Sequence, residues 1–592
     1  MMMTRGNSNK TLKMAAKSLV CVLVVLALVY VLPTFQKYQL SQLLIYAIAC
    51  LGIHLCWGRA GILPLGQAAF FGAGAYSFGL LLKGNASDIF TASLLFLFSV
   101  IAIALVAFLI AAMILRRQVG PSPQFAIITL ALTILFGQIA LSWSSVTGGF
   151  NGLLIPVISG VDPFSDAFFV VICGVTLVCY TIARWVGGTP LGRLWMAAAD
   201  DELRVQLFGF ATHLLKAICF AIGAGFAAIA GGLFALHQGL VTPQNSGFVF
   251  SAELLIWTAL GGRKHPSGAI IGAILAGVLS LALRDKIIWW ELIVASLFIL
   301  VVLKFPGGIA GGFLTLISRY KGNSGNQEVQ PIRPPADEVD KATLAREITV
   351  QKVTVDAGPV RIIDNLSLDI KPGVTQCIIG PNGAGKTSLF NAMTGMMPPR
   401  SGDIIAGTKS LNTIPAWHLQ RFGVQRKFQT PRIFVSLTIR ENLWIAMWSK
   451  HLQRRDYLSH APLKWHLDII DDAAQIFDFL RYPDMQAEEL SAGERQQLEL
   501  VMIHLCAPTI LLLDEPCAGL SPRETAMVAD FILTQQKQSG ATCVIIEHDM
   551  ALVSKLAARV IVLHRGKLLA EGTWQAIQKN AEVRAVYAGG IK

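Results

Sequence analysis

Residues 380–387 read GPNGAGKT and lie between a strand-like run, TQCIIG, and a helical run, SLFNAMTG. Glycines at 383 and 385 let backbone N–H groups wrap phosphate oxygens, and the N-terminus of the following helix adds a favourable dipole. In that setting Lys386 is placed to neutralise β- and γ-phosphates, and the Thr387 hydroxyl to ligate Mg²⁺. The expected nucleotide site is therefore the whole loop: Gly380, Pro381, Asn382, Gly383, Ala384, Gly385, Lys386 and Thr387, with the adjoining Ser388. About 130 residues on, ILLLDEP (510–516) is an apolar strand ending in two acids. Asp514 suits a Mg²⁺ shell, and Glu515 suits polarising a water for attack on phosphorus. Between the two lies ELSAGERQQLELVMI (489–503), and beyond them VIIEHDM (544–550) ends a further apolar strand at His548. A lone histidine after a strand is unremarkable. In this order the four segments support one another.

These residues need a scaffold that brings strand ends together. From residue 346 onward, short β-rich runs alternate with longer helical ones, the sequence form of an α/β domain. The preceding stretch, GNSGNQEVQPIRPPADEVDK, is rich in Gly, Asn, Pro and alternating charge, which predicts a flexible linker over 321–345.

The first 320 residues are of another kind. The 592-residue chain is 54% hydrophobic but only 15% charged, which excludes an ordinary soluble enzyme and a disordered chain. Ten apolar runs long enough, or nearly so, to cross a bilayer are expected at about 18–35, 40–57, 61–82, 90–115, 122–143, 167–187, 213–238, 251–262, 267–283 and 288–304. The run at 251–262 is short for a full span and reads as a broken or re-entrant helix. Of the 49 Lys and Arg, 19 precede residue 321, against 9 of the 37 Asp and Glu, so most of the net charge of +12 sits in the apolar half. A basic excess in short loops between apolar runs orients a protein in a membrane and does not mark a nucleic-acid surface. With the N-terminus in the cytoplasm, the longest charged loop, 188–212, also lies there, and its spacing predicts an amphipathic helix over 193–209. Small residues at Gly66, Gly72 and Gly74, and at Ala224, Ala228 and Gly232, are spaced for close helix packing. The ten cysteines contain no CxxC pair and lie in apolar or strand-like runs, so reduced buried thiols are expected.

On these motifs residues 346–592 resemble the ATPase of an ABC transporter. LSAGE (490–494) is similar to the family signature, with Ala492 and Glu494 where Gly and Gln are usual; AGLSP (518–522) resembles the D-loop. The resemblance implies that Gln429, in RKFQTPRIF, is the Q-loop glutamine, which reaches the metal, and that His548 is the switch histidine. It also makes Ser491 and Gly493 the γ-phosphate donors. The family usually stacks adenine on an early aromatic residue, yet 348–363 contains no Phe, Tyr or Trp. In the membrane half GRAGILPLGQAAFFGAGAY (58–76), FAIITLALT (125–133), TGGFNGL (147–153), TPLGR (189–193), ELLIWTALGGR (253–263) and PSGAIIGAIL (266–275) resemble permeases of branched-chain amino-acid and urea uptake systems.

The resulting expectation is a polytopic α-helical membrane domain of about ten crossings (1–320) fused through the 321–345 linker to an α/β P-loop ABC-type ATPase (346–592). The resemblance implies an importer subunit for branched-chain or other hydrophobic amino acids or urea-like amides, using ATP and Mg²⁺ in a bacterial inner membrane. It further implies a second permease and a second ATPase, as separate chains or a second copy, an extracytoplasmic substrate-binding protein, and contact with lipid but not nucleic acid. An exporter half-transporter and a membrane-anchored regulatory ATPase are the alternatives.

Overall fold

Long apolar runs satisfy their backbone polar groups internally by forming helices, which is what lipid demands. The computed structural model describes residues 23, 25–83, 88–116, 123–284, 347–459 and 468–588, with isolated positions between 286 and 311. Its contacts divide the chain into two units: Met1–Trp195 with His213–Asn326, and Met196–Thr212 with Gln327–Lys592.

Among the described residues, six helices are long and apolar enough to cross a membrane: Thr34–Arg59, Ile89–Leu115, Gln124–Ser142, Asp166–Gly187, Thr212–Gln238 and Pro266–Leu283. Gln67–Leu82 and Phe248–Gly261 are shorter apolar helices. The run expected from residue 61 becomes helical only at Gln67, because Gly61, Pro64 and Gly66 interrupt it. The short run at 251–262 is a 14-residue helix that stops at Gly262, whose φ is +115°. The run at 18–35 is described at 23 and from 25 on, where it is helical up to Val31 and interrupted at Pro33, while the run at 288–304 lies largely, and the 321–345 linker wholly, outside the described residues.

The two small-residue stripes meet. A Cβ on Gly74 would stand 2.6 Å from Ala228 Cα, and one on Gly231 would stand 1.9 Å from the carbonyl oxygen of Phe71. Helices Gln67–Leu82 and Thr212–Gln238 thus touch backbone to backbone, a contact that larger side chains would prise apart.

The second unit is built on a six-stranded sheet in the order Lys567–Gly572, Arg559–His564, Thr375–Ile379, Thr542–Ile546, Ile510–Asp514 and Val424–Lys427. All neighbours are parallel except the first pair. The runs TQCII, ILLLD and TCVII are buried at every position, as strands covered on both faces must be. A four-stranded antiparallel sheet, ordered Val360–Ile370, Ile348–Ala357, Ser401–Ala406 and Lys409–Ser410, shares one apolar core with it. Nine of the ten cysteines are among the described residues, and all nine are free thiols.

The segment Met196–Thr212 belongs to this second unit. In place of the single expected helix over 193–209, there are two, Pro190–Asp200 and Glu202–Leu207. Asp201 causes the break: its carboxylate caps the second helix, accepting from Arg204 N–H at 2.8 Å. Leu207 is part of the core of the unit and Leu203 packs against that core.

Candidate active site

Four parallel strands end on one side of the sheet, where ligands bind in open α/β folds. Ile379 leads into the Gly380–Gly385 loop, Lys427 into Phe428–Gln429, Asp514 into Glu515, and Ile546 into Glu547–His548. The topology thus gathers segments that are up to 160 residues apart in sequence. Asn382 to Ser388, Gln429, Glu515 and His548 line one cavity of about 820 Å³.

The phosphate loop has the conformation its glycines permit. Gly385 has φ +97° and caps the helix Lys386–Met393; Gly380 has φ +155°, and a Cβ there would stand 2.2 Å from the carbonyl oxygen of Leu563. A Cβ on Gly383 would meet nothing within 4 Å, so that turn faces open space. Lys386 is largely buried, and its Nζ donates to the carbonyls of Gly380 at 2.8 Å and Pro381 at 3.1 Å. Burial pulls its pKa below the usual lysine value, against the pull of Glu515 and Asp514. A triphosphate in this loop would supply the negative charge that Lys386 otherwise finds in carbonyl dipoles.

Glu515 sits between two partners. Gln429 Nε2 donates to its Oε2 at 3.0 Å, and His548 Nε2 lies 3.2 Å from its Oε1. Its φ is +47°, a left-handed conformation that side chains with a Cβ rarely adopt. The Glu515 N–H nevertheless bonds the carbonyl of Ile546 at 2.9 Å, so the strained turn is fixed by the neighbouring strand.

Asp514 lies beneath the cavity and does not line it. It is buried, with Arg426 Nη2 3.4 Å from its Oδ2, while its Oδ1 is buried without a hydrogen-bond partner. Burial raises its pKa against the pull of Arg426. The orphaned oxygen, together with the Thr387 hydroxyl and the Gln429 amide at the cavity wall, is a hard-oxygen set of the kind Mg²⁺ takes. Glu547, next to the histidine, is pushed up to about 7 by burial.

Ser491 and Gly493 do not line this cavity. Ser491 caps the helix Ala492–Leu505, and Glu494 returns a reciprocal bond, its Oε2 accepting from Ser491 N–H at 2.8 Å. The Glu in LSAGE thus completes a capping box. Val360, Arg361, Ile362 and Arg565 complete the lining of the cavity, which includes no Phe, Tyr or Trp.

Sequence reading passed over the residues behind the motifs. Arg426, the ion partner of Asp514, lies on the strand Val424–Lys427, three residues before Gln429 in RKFQ. Phe428 has the guanidinium groups of Arg204, Arg426 and Arg432 within 4.5–5.2 Å of its ring. The alternation of cations with an aromatic residue in QRKFQ was the available signal.

The sequence comparisons bear directly on this arrangement. A family described as "Branched-chain amino acid transport system / permease component" matches residues 37–303, and one described as "ABC transporter" matches 363–518. The high-affinity branched-chain amino acid transport ATP-binding protein LivG of Escherichia coli (strain K12) is 34% identical over 251 residues, 41% of this chain and 97% of LivG. The chain belongs to the ABC transporters of the branched-chain amino acid type. The corresponding protein BraF of Pseudomonas aeruginosa is 31% identical over 249 residues and covered to 97%. A solved nucleotide-free ATP-binding cassette aligns over 41% of this chain and 98% of its own length, at 24% identity and a TM-score of 0.36. This ABC transporter chain therefore carries permease and ATPase in one polypeptide. It is a membrane-embedded, ATP-binding protein whose ATP hydrolysis is coupled to transport across the membrane.

Proposed function

We propose that this chain is the permease–ATPase half of an importer that brings branched-chain amino acids into a bacterial cell across the inner membrane. The observation that carries the reading is the fusion itself: a branched-chain amino acid permease sequence over 37–303 precedes an ATPase whose relatives are named for the same transport. The permease spans 1–320 with about ten crossings and a cytoplasmic N-terminus, and the linker 321–345 leads to the ATPase at 346–592.

In the ATPase, the N–H groups of 382–387 and Lys386 bind the phosphates. Thr387, Gln429 and the buried oxygen of Asp514 would hold Mg²⁺, which would neutralise charge on the phosphates. Glu515 takes the proton from, or orients, the attacking water. His548 and Gln429 hold both carboxylate oxygens in place, so the group is preorganised. Ser491 and Gly493, remote from this cavity, serve the nucleotide of a second ATPase, and the chain accordingly works with a second ATPase and permease and takes solute from an extracytoplasmic binding protein. For the base, the cavity offers the apolar side chains of Val360 and Ile362 and the cations Arg361 and Arg565.

Substrate class is tested by solute competition in the assembled transporter with its binding protein. Leucine, isoleucine and valine should compete with one another for uptake, and urea should not. Competition by urea but not leucine would move the chain to amide transport.

A further inference from the structure

The Met196–Thr212 segment sends one fully buried arginine, Arg204, into the ATPase, and each of its three guanidinium nitrogens faces an oxygen of the ATPase. Arg204 Nη2 is ion-paired with Glu499 on the helix Ala492–Leu505, and neither side chain is exposed to solvent. Arg204 Nη1 donates to the carbonyl of Arg426 at 2.7 Å, and Nε donates to the carbonyl of Arg432 at 3.1 Å. Those two carbonyls lie three residues either side of Gln429. Phe428 completes the arrangement: its ring is 5.2 Å from the Arg204 guanidinium, and its N–H points at the same Glu499 oxygen at 3.4 Å. One planar fork thus holds both ends of the Gln429 segment and ties them to the helix that begins at Ser491.

We infer that Arg204 is a positioning residue for ATP hydrolysis, setting where Gln429 stands against Glu515 relative to the Ser491 helix. The inference rests on the proposed roles of Gln429, Glu515 and Ser491. Permease-derived sequence thereby supplies part of the frame of the hydrolytic site. The geometry requires arginine: the three donors of a lysine diverge from a single nitrogen and cannot reach acceptors set around the three separate nitrogens of a planar fork. A buried pair kept only for folding would behave differently, because well-packed apolar residues replace such pairs with little loss of stability.

The test uses the full-length chain in its assembled transporter. Two variants are compared with the parent: Arg204→Lys, which keeps the charge, and the double variant Arg204→Met with Glu499→Leu, which leaves no buried charge unpaired. ATP affinity, kcat and solute moved per ATP are measured for each. The expected result in both is an ATP affinity within about threefold of the parent, a kcat at least tenfold lower, and less solute moved per ATP. A variant that keeps its thermal midpoint and the parental kcat and solute-to-ATP ratio overturns the inference. So does rescue of kcat in the double variant alone, which assigns the pair to folding. Glu515→Gln is run alongside: if it hydrolyses ATP at the parental rate, the reading of the site fails, whatever the Arg204 variants do.

Discussion

The side-chain amide of Gln429 donates to Glu515 Oε2 at 3.0 Å, linking the strand end at Lys427 to the strand end at Asp514. That bond and the His548 contact on the other oxygen hold both Glu515 carboxylate oxygens at the cavity that the phosphate loop lines. General-base or water-orienting catalysis contributes roughly 10²–10⁴-fold to a rate. Glu515→Gln is expected to lower ATP turnover by about that factor while binding ATP as the parent does, since Lys386 and the loop N–H groups are untouched. Turnover and nucleotide binding, measured on the same preparation, check this.

Lys386→Ala acts on the other term. It removes the cation facing the phosphates, so ATP affinity itself should fall by about tenfold or more, an effect read by equilibrium nucleotide binding.

Arg426 and Asp514 are a buried pair, with side chains 2% and 1% exposed. Removing one member strands the other, which costs about 3–5 kcal/mol. Arg426→Ala should therefore destabilise the ATPase unit by that amount, well beyond the change from Arg361→Ala in an exposed ion pair. Denaturant unfolding of the two variants makes the comparison.

Glu547 gives a pH dependence with a definite sign. Its pKa in the folded chain is about 7, raised by burial, against about 4.3 for an unfolded glutamate. Between these values the folded state holds more protons, so stability falls as pH rises from about 4.5 to 7 and stays lower above that. Glu547→Gln abolishes the titration and, like the protonated acid, offers one acceptor oxygen where the carboxylate uses Oε1 for Cys517 N–H and Oε2 for His548 N–H. The variant should be more stable than the parent at pH 8, by roughly 2–4 kcal/mol, and nearly equal to it at pH 4. Thermal unfolding at the two pH values is the measurement.

Leu203 packs against the ATPase core from the Met196–Thr212 segment. A carboxylate there is desolvated without a partner, so Leu203→Asp should weaken the docking of that segment. Solute transport is expected to fall severalfold, and ATP hydrolysis with it, because the adjacent Arg204 is held against the Gln429 segment by the same docking. Parallel assays of phosphate release and uptake test this.

The site was legible because strand–loop motifs announce themselves locally. GPNGAGKT and ILLLDEP each need only a strand, a turn and the right side chain, and parallel pairing then brings them together. The apolar runs were legible for the same reason, and eight of them sit on helices with edges shifted where Gly61, Pro64 and Gly66 intervene. What escaped was long-range. Nothing near residue 204 announces a partner at 499, and the displacement of Asp514 from the cavity follows from Arg426 holding it, 88 residues away. The split of the 193–209 helix did have a local cause, since Asp201 is a capping residue standing within an apolar periodicity.

Vectorial uptake tests the account most directly. The assembled transporter is reconstituted in liposomes with ATP on the side of the ATPase and with binding protein and radiolabelled leucine on the other. Leucine should accumulate above its external concentration on the ATPase side, only with ATP, and not when the chain carries Glu515→Gln. ATP hydrolysis with no accumulation, or leucine driven the opposite way, would contradict it.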